Sequence, residues 1–203
     1  DHVEVARTEH LVLLAMPDAD APLVNHYAEI AEPDAAEVFA FGGGEDPTAV
    51  EVYLYFERDC ASSPTGVCTG LTHADGTIDM LLDEDGVADR LFRRGIRHEL
   101  GHVLAMARGG TCVRTLLTEG TAEFVGLAST EVPLGGDDVP GTVLDDLTRA
   151  LSSREFIPLD ELVDSADFAD AASPDFQPAY AESAALMELV WGELGSDGFF
   201  AFY

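Results

Sequence analysis

The first third of the chain contains short apolar runs that predict β-strands. Runs at 9–16, 49–56 and 76–82 are rich in aliphatic and aromatic residues, and Pro, Gly or Asp-Gly lies close to their ends. Such runs are typical of strands with buried faces. Residues 20–41 carry apolar positions at helical spacing, and Pro33 is expected to break or kink that helix.

After residue 86 the apolar period becomes that of helices. Because strands lead and helices follow, we expect an α+β fold. One domain should span residues 1–203, with a small N-terminal mixed-sheet lobe over about 1–86. A helical lobe should follow over about 87–203. The expected helices lie at about 87–107, 116–127 and 179–194, with shorter helical patches at about 143–152 and 159–164.

Composition narrows the class of protein. The chain has 203 residues, 47% of them hydrophobic, which is enough for a substantial core. No run approaches the roughly 18 apolar residues of a membrane helix. The net charge is −29, and all ten cations are Arg. We therefore expect neither nucleic acid nor a membrane as partner, because both are anionic. Salt adaptation and genome base composition are two competing explanations of the acidity.

Two features suggest an oxidising compartment. The sequence begins with Asp1 rather than Met, as a processed chain would. Cys60 and Cys68 bracket a short loop rich in Ser, Pro and Gly, which a disulfide could close. We therefore expect a secreted or cell-surface protein. Three reduced cysteines, including Cys112, are the alternative.

The strongest chemical signal is the segment His98-Glu99-Leu100-Gly101-His102. On a helix the i, i+4 spacing places both imidazoles on one face, where they can bind one metal ion. Zinc suits two imidazoles and a carboxylate, with a fourth position open to water. Glu99 lies beside that face and could take a proton from a water that the metal activates. The alternative is two surface histidines brought together by chance.

A third zinc ligand is expected from the second helix of the helical lobe. Ala105 and Arg108 stand where a metzincin has Gly and His, so that class is excluded. Glu119 follows after enough chain for a turn and an antiparallel return. Glu123, one turn further, could accept the outer N–H of a ligand histidine and fix its tautomer. The two glutamates could exchange these roles, or each could be a solvated carboxylate.

These residues resemble the gluzincin metallopeptidases, which include thermolysin-like enzymes and the aminopeptidase N group. The resemblance rests on His98–His102 together with the segment Leu117-Thr118-Glu119-Gly120-Thr121-Ala122-Glu123-Phe124. It implies that Glu119 is the third zinc ligand and that Glu123 supports the ligands from behind. It also implies that the strand before the active helix, here Thr77 to Leu82, forms the cleft edge and pairs with substrate.

The resemblance extends to the last predicted helix. Tyr180 opens a segment similar to the aminopeptidase type, in which a Tyr donates a hydrogen bond to the oxyanion. A helix-capping or core tyrosine is the alternative. The Gly-Ala-Met-Glu-Asn element that anchors a substrate amine in aminopeptidases is missing before the active helix.

Three arginines, Arg93, Arg94 and Arg97, stand close together before the motif. They could pair with the protein's own carboxylates or anchor an acidic substrate group. The sequence as a whole predicts a zinc peptidase acting on peptide or protein substrates. The alternatives are a non-catalytic zinc module that docks proteins in its cleft, and a zinc hydrolase acting on a non-peptide bond.

Overall fold

A computed structural model describes residues 2–43, 48–57, 69–83, 89–108, 115–128, 157 and 177–202. The predicted helical patches at 143–152 and 159–164 lie outside these residues, as do Cys60, Cys68 and Cys112. Within the described part of the chain, strands precede a helical region, so the predicted α+β class is confirmed.

The N-terminal region forms a mixed five-stranded sheet. Its strands are β1 (Val3–Arg7), β2 (Leu11–Ala15), β3 (Val50–Glu57), β4 (Thr69–Thr72) and β5 (Ile78–Asp83). Their order across the sheet is β1-β2-β3-β5-β4. The three central strands run parallel, and each outer strand is antiparallel to its neighbour.

The sequence predicted the three central strands and missed both outer ones. Val3–Arg7 alternates apolar and polar residues only briefly, and Thr69–Thr72 has four residues, one of them Gly. Strands with little buried apolar surface leave a weak signal. The expected cleft edge was therefore assigned wrongly. Residues 78–83 are paired on both sides, and β4 is the outer strand beyond them.

Helix α1 (Ala21–Gly42) connects β2 to the parallel strand β3 and covers the sheet. It continues through Pro33, so of the expected break or kink the break is absent. Its buried face packs on β1 and β2 and along helix α2 (Asp89–Ala107). Tyr27 of α1 stacks on Phe92 of α2 with ring centroids 4.2 Å apart. This stacking fixes the start of α2 against the core of the sheet.

Two further helices stack outward from α2. Helix α3 (Thr115–Ala128) packs on α2, and helix α4 (Gln177–Phe202) packs on α3. The helical geometry of α4 is interrupted at Gly195, whose φ is 66°. That left-handed residue separates the predicted helix from the aromatic end of the chain. Within the described residues, no helix is both long and apolar enough to cross a membrane.

Candidate metal centre

Glycines set the spacing of the helices that surround the motif. A Cβ atom at Gly101 would lie 2.6 Å from the carbonyl oxygen of Ala122 on α3. A Cβ atom at Gly120 would lie 2.7 Å from the carbonyl oxygen of Ser183 on α4. Both distances are shorter than real Cβ contacts, so only glycine allows these helices to approach so closely. Gly101 lies between the motif histidines, and Gly120 follows Glu119, so the close contacts fall at the candidate site.

The two motif histidines and Glu119 come together between α2 and α3. Glu119 Oε2 lies 3.2 Å from His98 Nε2 and 3.5 Å from His102 Nε2. One ligand atom from each residue lies within 4.8 Å of the other two. The side chains are 15%, 13% and 22% exposed for His98, His102 and Glu119. Three donors thus converge at a point that solvent still reaches.

This donor set fits zinc. Two imidazole nitrogens and one carboxylate oxygen are ligands that zinc accepts, and three protein ligands leave a position for water or substrate. The imidazole rings of His98 and His102 are nearly perpendicular, and their centroids are 4.9 Å apart. This distance is expected for two side chains that are one helical turn apart.

Glu123 contacts the other side of His98. Its Oε2 lies 3.0 Å from His98 Nδ1, while Arg94 Nη2 donates to its Oε1 at 2.9 Å. The predicted contact of Glu123 with the outer nitrogen of a ligand histidine is therefore present. Because Nδ1 binds Glu123, Nε2 is the nitrogen left to face Glu119. An ion pair was one of two interpretations of Arg94 from the sequence, which did not indicate the partner. The i, i+4 spacing of Arg94 and His98 was the available signal.

The mutual contacts shift the ionisation of these groups. Burial lowers the pKa of His98, but hydrogen bonds to Glu119 and Glu123 outweigh it and raise this pKa to about 10. Burial raises the pKa of Glu119, yet hydrogen bonds to His102 and His98 hold it far below its usual value. The pKa of Glu123 is lowered to about 2, against burial, by His98 and Arg94. Without a metal, the site therefore holds a proton on His98 between two carboxylates.

Glu99 lies beside the three donors and contacts strand β4. The residue is 5% exposed, and its Oε2 accepts a hydrogen bond from the hydroxyl of Thr72 at 2.7 Å. Adjacent positions on a helix point in different directions, so Glu99 lies beside the histidine pair. The motif predicted the position of Glu99, but nothing in it indicated Thr72.

Tyr180 reaches the same site from the first turns of α4. Its ring centroid lies 5.6 Å from that of His98. Burial raises the pKa of Tyr180, and the charges of Glu119, Glu123 and Glu99 raise it further. The phenol is therefore a neutral hydrogen-bond donor at the edge of the site. The family resemblance predicted Tyr180 at the site, whereas helical spacing alone did not.

A second group of His and Glu side chains has spacing that a metal would require. It consists of Glu9, His10 and Glu32. His10 Nδ1 lies 2.5 Å from Glu32 Oε1, and Glu9 is exposed. One imidazole and two carboxylates, already joined by a close ion pair, suit zinc less well than two imidazoles do. The site between α2 and α3 is therefore the better candidate.

The arginines before the motif pair with the protein's own carboxylates, as one of the two interpretations held. Arg93 binds Asp34 through two nitrogens, at 2.8 Å and 2.7 Å. Arg97 also binds Asp34 and reaches Glu37 at 3.2 Å. These contacts join α2 to α1.

Comparisons with models of protein families, with curated proteins and with solved structures returned no match. The gluzincin resemblance therefore rests on the motif residues and their positions.

Proposed function

We propose that this protein is a zinc-dependent peptidase of the gluzincin type. His98, His102 and Glu119 are the zinc ligands in this proposal. The observation that carries it is the convergence of two imidazoles from adjacent turns of α2 with a carboxylate from α3. In so acidic a chain a chance carboxylate is common, but one placed within 3.5 Å of both imidazoles is a specific arrangement.

Zinc bound by these side chains would lower the pKa of a water molecule and polarise a substrate carbonyl. Glu99 is the proposed general base. It follows the first ligand in sequence, and its carboxylate is buried at the boundary between α2 and β4. A base held beside the metal ligands can accept a proton from water and later give it to the leaving amine.

Tyr180 is the proposed donor to the oxyanion. Its ring lies against His98, and its raised pKa keeps the hydroxyl protonated at neutral pH. A neutral donor adds no charge to the site, and its hydrogen bond strengthens as negative charge develops on the carbonyl oxygen.

A peptide is the substrate class that the fold favours. Strand β4 pairs with β5 on one side and ends the described sheet on the other. Glu99 contacts this strand through Thr72. An extended peptide could pair with an outer strand through backbone hydrogen bonds, which would align a peptide bond beside the metal ligands. The sequence had favoured residues 77–82 as the strand that pairs with substrate. In this proposal β4 is that strand.

Metal analysis and digestion of a peptide library test the proposal together. We expect about one zinc per chain, lost in His98→Ala and His102→Ala. Glu99→Gln should keep zinc and lose about 10²–10⁴-fold in hydrolysis. Glu188→Gln is the matched control, since Glu188 is an exposed glutamate of α4. A chain without zinc would overturn the proposal, and bound zinc without hydrolysis would favour a non-catalytic docking module.

The same assay separates the two interpretations of Tyr180. Tyr180→Phe should lower kcat by about a hundredfold or more, because one oxyanion donor is lost. KM and zinc content should stay unchanged. A core tyrosine would instead lower the melting temperature and leave kcat unaffected, and that outcome would remove Tyr180 from the catalytic residues.

A further inference from the structure

Strand β4 contacts the candidate base through two residues on one side of the strand. Thr72 Oγ1 lies 2.7 Å from Glu99 Oε2 and 3.1 Å from the carbonyl oxygen of Glu99. Because the acceptor is a carboxylate, the shorter contact is the stronger kind of hydrogen bond. It joins residues that are 27 positions apart in the sequence.

Gly70 provides the space that the carboxylate occupies. Residues two apart on a strand face the same side, so Gly70 and Thr72 both face Glu99. A Cβ atom at Gly70 would lie 2.3 Å from Glu99 Oε1 and 2.7 Å from Glu99 Cδ. No side chain larger than hydrogen fits there with Glu99 in this conformation. Gly70 and Thr72 together form what we term the Glu99 seat.

We propose that the Glu99 seat positions the general base. Thr72 holds one carboxylate oxygen by a hydrogen bond, and Gly70 leaves space for the carboxylate beside the strand. This inference rests on the proposed peptidase function. A glutamate has three rotatable side-chain bonds, and a base acts only when it is held within hydrogen-bond reach of the proton that it accepts. The Thr72 hydroxyl occupies one lone pair of Oε2, so the remaining lone pairs stay available for that proton.

The seat also links the base to the strand proposed to bind substrate. Thr72 and Gly70 belong to β4, so the backbone that would align a peptide also carries the groups that hold Glu99. Among the described residues, no hydrogen bond or ion pair joins Gly70 or Thr72 to the three proposed zinc ligands. Substitutions in the seat should therefore separate catalysis from metal binding.

Three variants test the seat in the zinc-loaded protein. Thr72→Val keeps the shape and removes the hydroxyl, and we expect kcat to fall about 10–100-fold, as for a lost hydrogen bond to a charged group. Thr72→Ser restores the hydroxyl and should return kcat close to the wild-type value. Gly70→Ala should displace the carboxylate and lower kcat about 100-fold. KM and zinc content should remain at wild-type values in all three.

The matched control is Thr77→Val. The Thr77 hydroxyl donates to the carboxylate of Asp75 at 2.8 Å, in the turn between β4 and β5. This variant loses the same kind of hydrogen bond, and kcat should not change.

A measurement without activity checks the contact itself. Urea unfolding of the zinc-free protein is compared for Thr72→Val, Glu99→Ala and the double variant. We expect the double variant to shift the unfolding midpoint by less than the sum of the single shifts, because both single variants remove one shared interaction. Additive shifts would overturn the contact on which the inference depends.

The outcomes distinguish this inference from the proposed function. If the wild-type protein hydrolyses peptides and Thr72→Val keeps full kcat, the positioning role is wrong while the peptidase proposal stands. If Thr72→Val loses kcat and Thr72→Ser does not recover it, the hydroxyl is not the positioning group. If zinc-loaded wild-type protein hydrolyses no peptide, the function and the inference that rests on it both fail.

Discussion

Helix α2 carries buried charge on two sides, and histidine takes part on only one of them. Towards α1, Arg93 and Arg97 surround Asp34, which is fully buried. Towards α3, His98 and His102 face Glu119, with Glu123 behind His98. Both groups join a helix pair through ion pairs and hydrogen bonds.

The difference lies in what each cation can give up. Arginine stays protonated in proteins and has no lone pair for a metal. The group around Asp34 therefore has only one state, and its role is to hold α1 against α2. Histidine can lose its proton and present a nitrogen lone pair instead. In the proposed function, the group around Glu119 exchanges this proton for a metal ion, and the α3 side of the helix carries the chemistry.

The largest effect on folding should come from the α1 side. Asp34→Ala leaves the buried Arg97 and the partly buried Arg93 without their shared carboxylate, so we expect the free energy of unfolding to fall by about 3–5 kcal/mol. Glu37→Ala is the control, since Glu37 is partly exposed and its loss should cost about 1 kcal/mol or less. Urea denaturation measures both. Equal losses in the two variants would contradict the structural role of Asp34.

On the α3 side, substitutions of the two glutamates should lower zinc affinity by different amounts. Glu123→Gln keeps the shape but weakens the support of His98, and zinc affinity should fall about 10–100-fold. Glu119→Gln removes a ligand, so its loss should be greater than about 100-fold. Titration with a competing chelator measures both. The reverse order would show that Glu123 is the ligand and Glu119 the supporting residue.

The third expected effect is a pH dependence that only the α3 side should show. In zinc-free protein the pKa of His98 is raised from 6.5 to about 10. A raised pKa means that protonated His98 stabilises the fold below about pH 6.5 and that this stabilisation is lost as pH rises towards 10.

This pH dependence is measured as a difference between variants in the presence of chelator. The stability of the wild type relative to His98→Gln should decline between about pH 6.5 and pH 10. The stability relative to Asp34→Asn should stay level over the same window, because the arginines remain charged. A flat curve for His98 would contradict the ion pairs with Glu119 and Glu123.

The parts of the fold that could be predicted share strong apolar periodicity. The strands β2, β3 and β5 are buried in the centre of the sheet, and α2 shows one apolar face. The strands β1 and β4 could not be predicted, because an outer strand needs few buried residues. Pro33 was expected to break or kink α1, and the helix continues across it without a break.

By itself, the sequence determined which atoms could bind a metal. The spacing of His98 and His102 on a helix fixes their shared face, and the same regularity places Glu119 and Glu123 one turn apart on the next helix. Local periodicity suffices for such pairs, because backbone hydrogen bonds within one helix set their geometry.

Only the tertiary structure decided which carboxylate meets which histidine nitrogen. The approach of α3 to α2 at Gly101 places Glu119 at Nε2 and Glu123 at Nδ1 of His98. The seat for Glu99 depends in the same way on β4, whose contact with α2 joins residues far apart in the sequence. Contacts of this kind follow from how elements pack, and the periodicity of a single element carries no information about its neighbour's register.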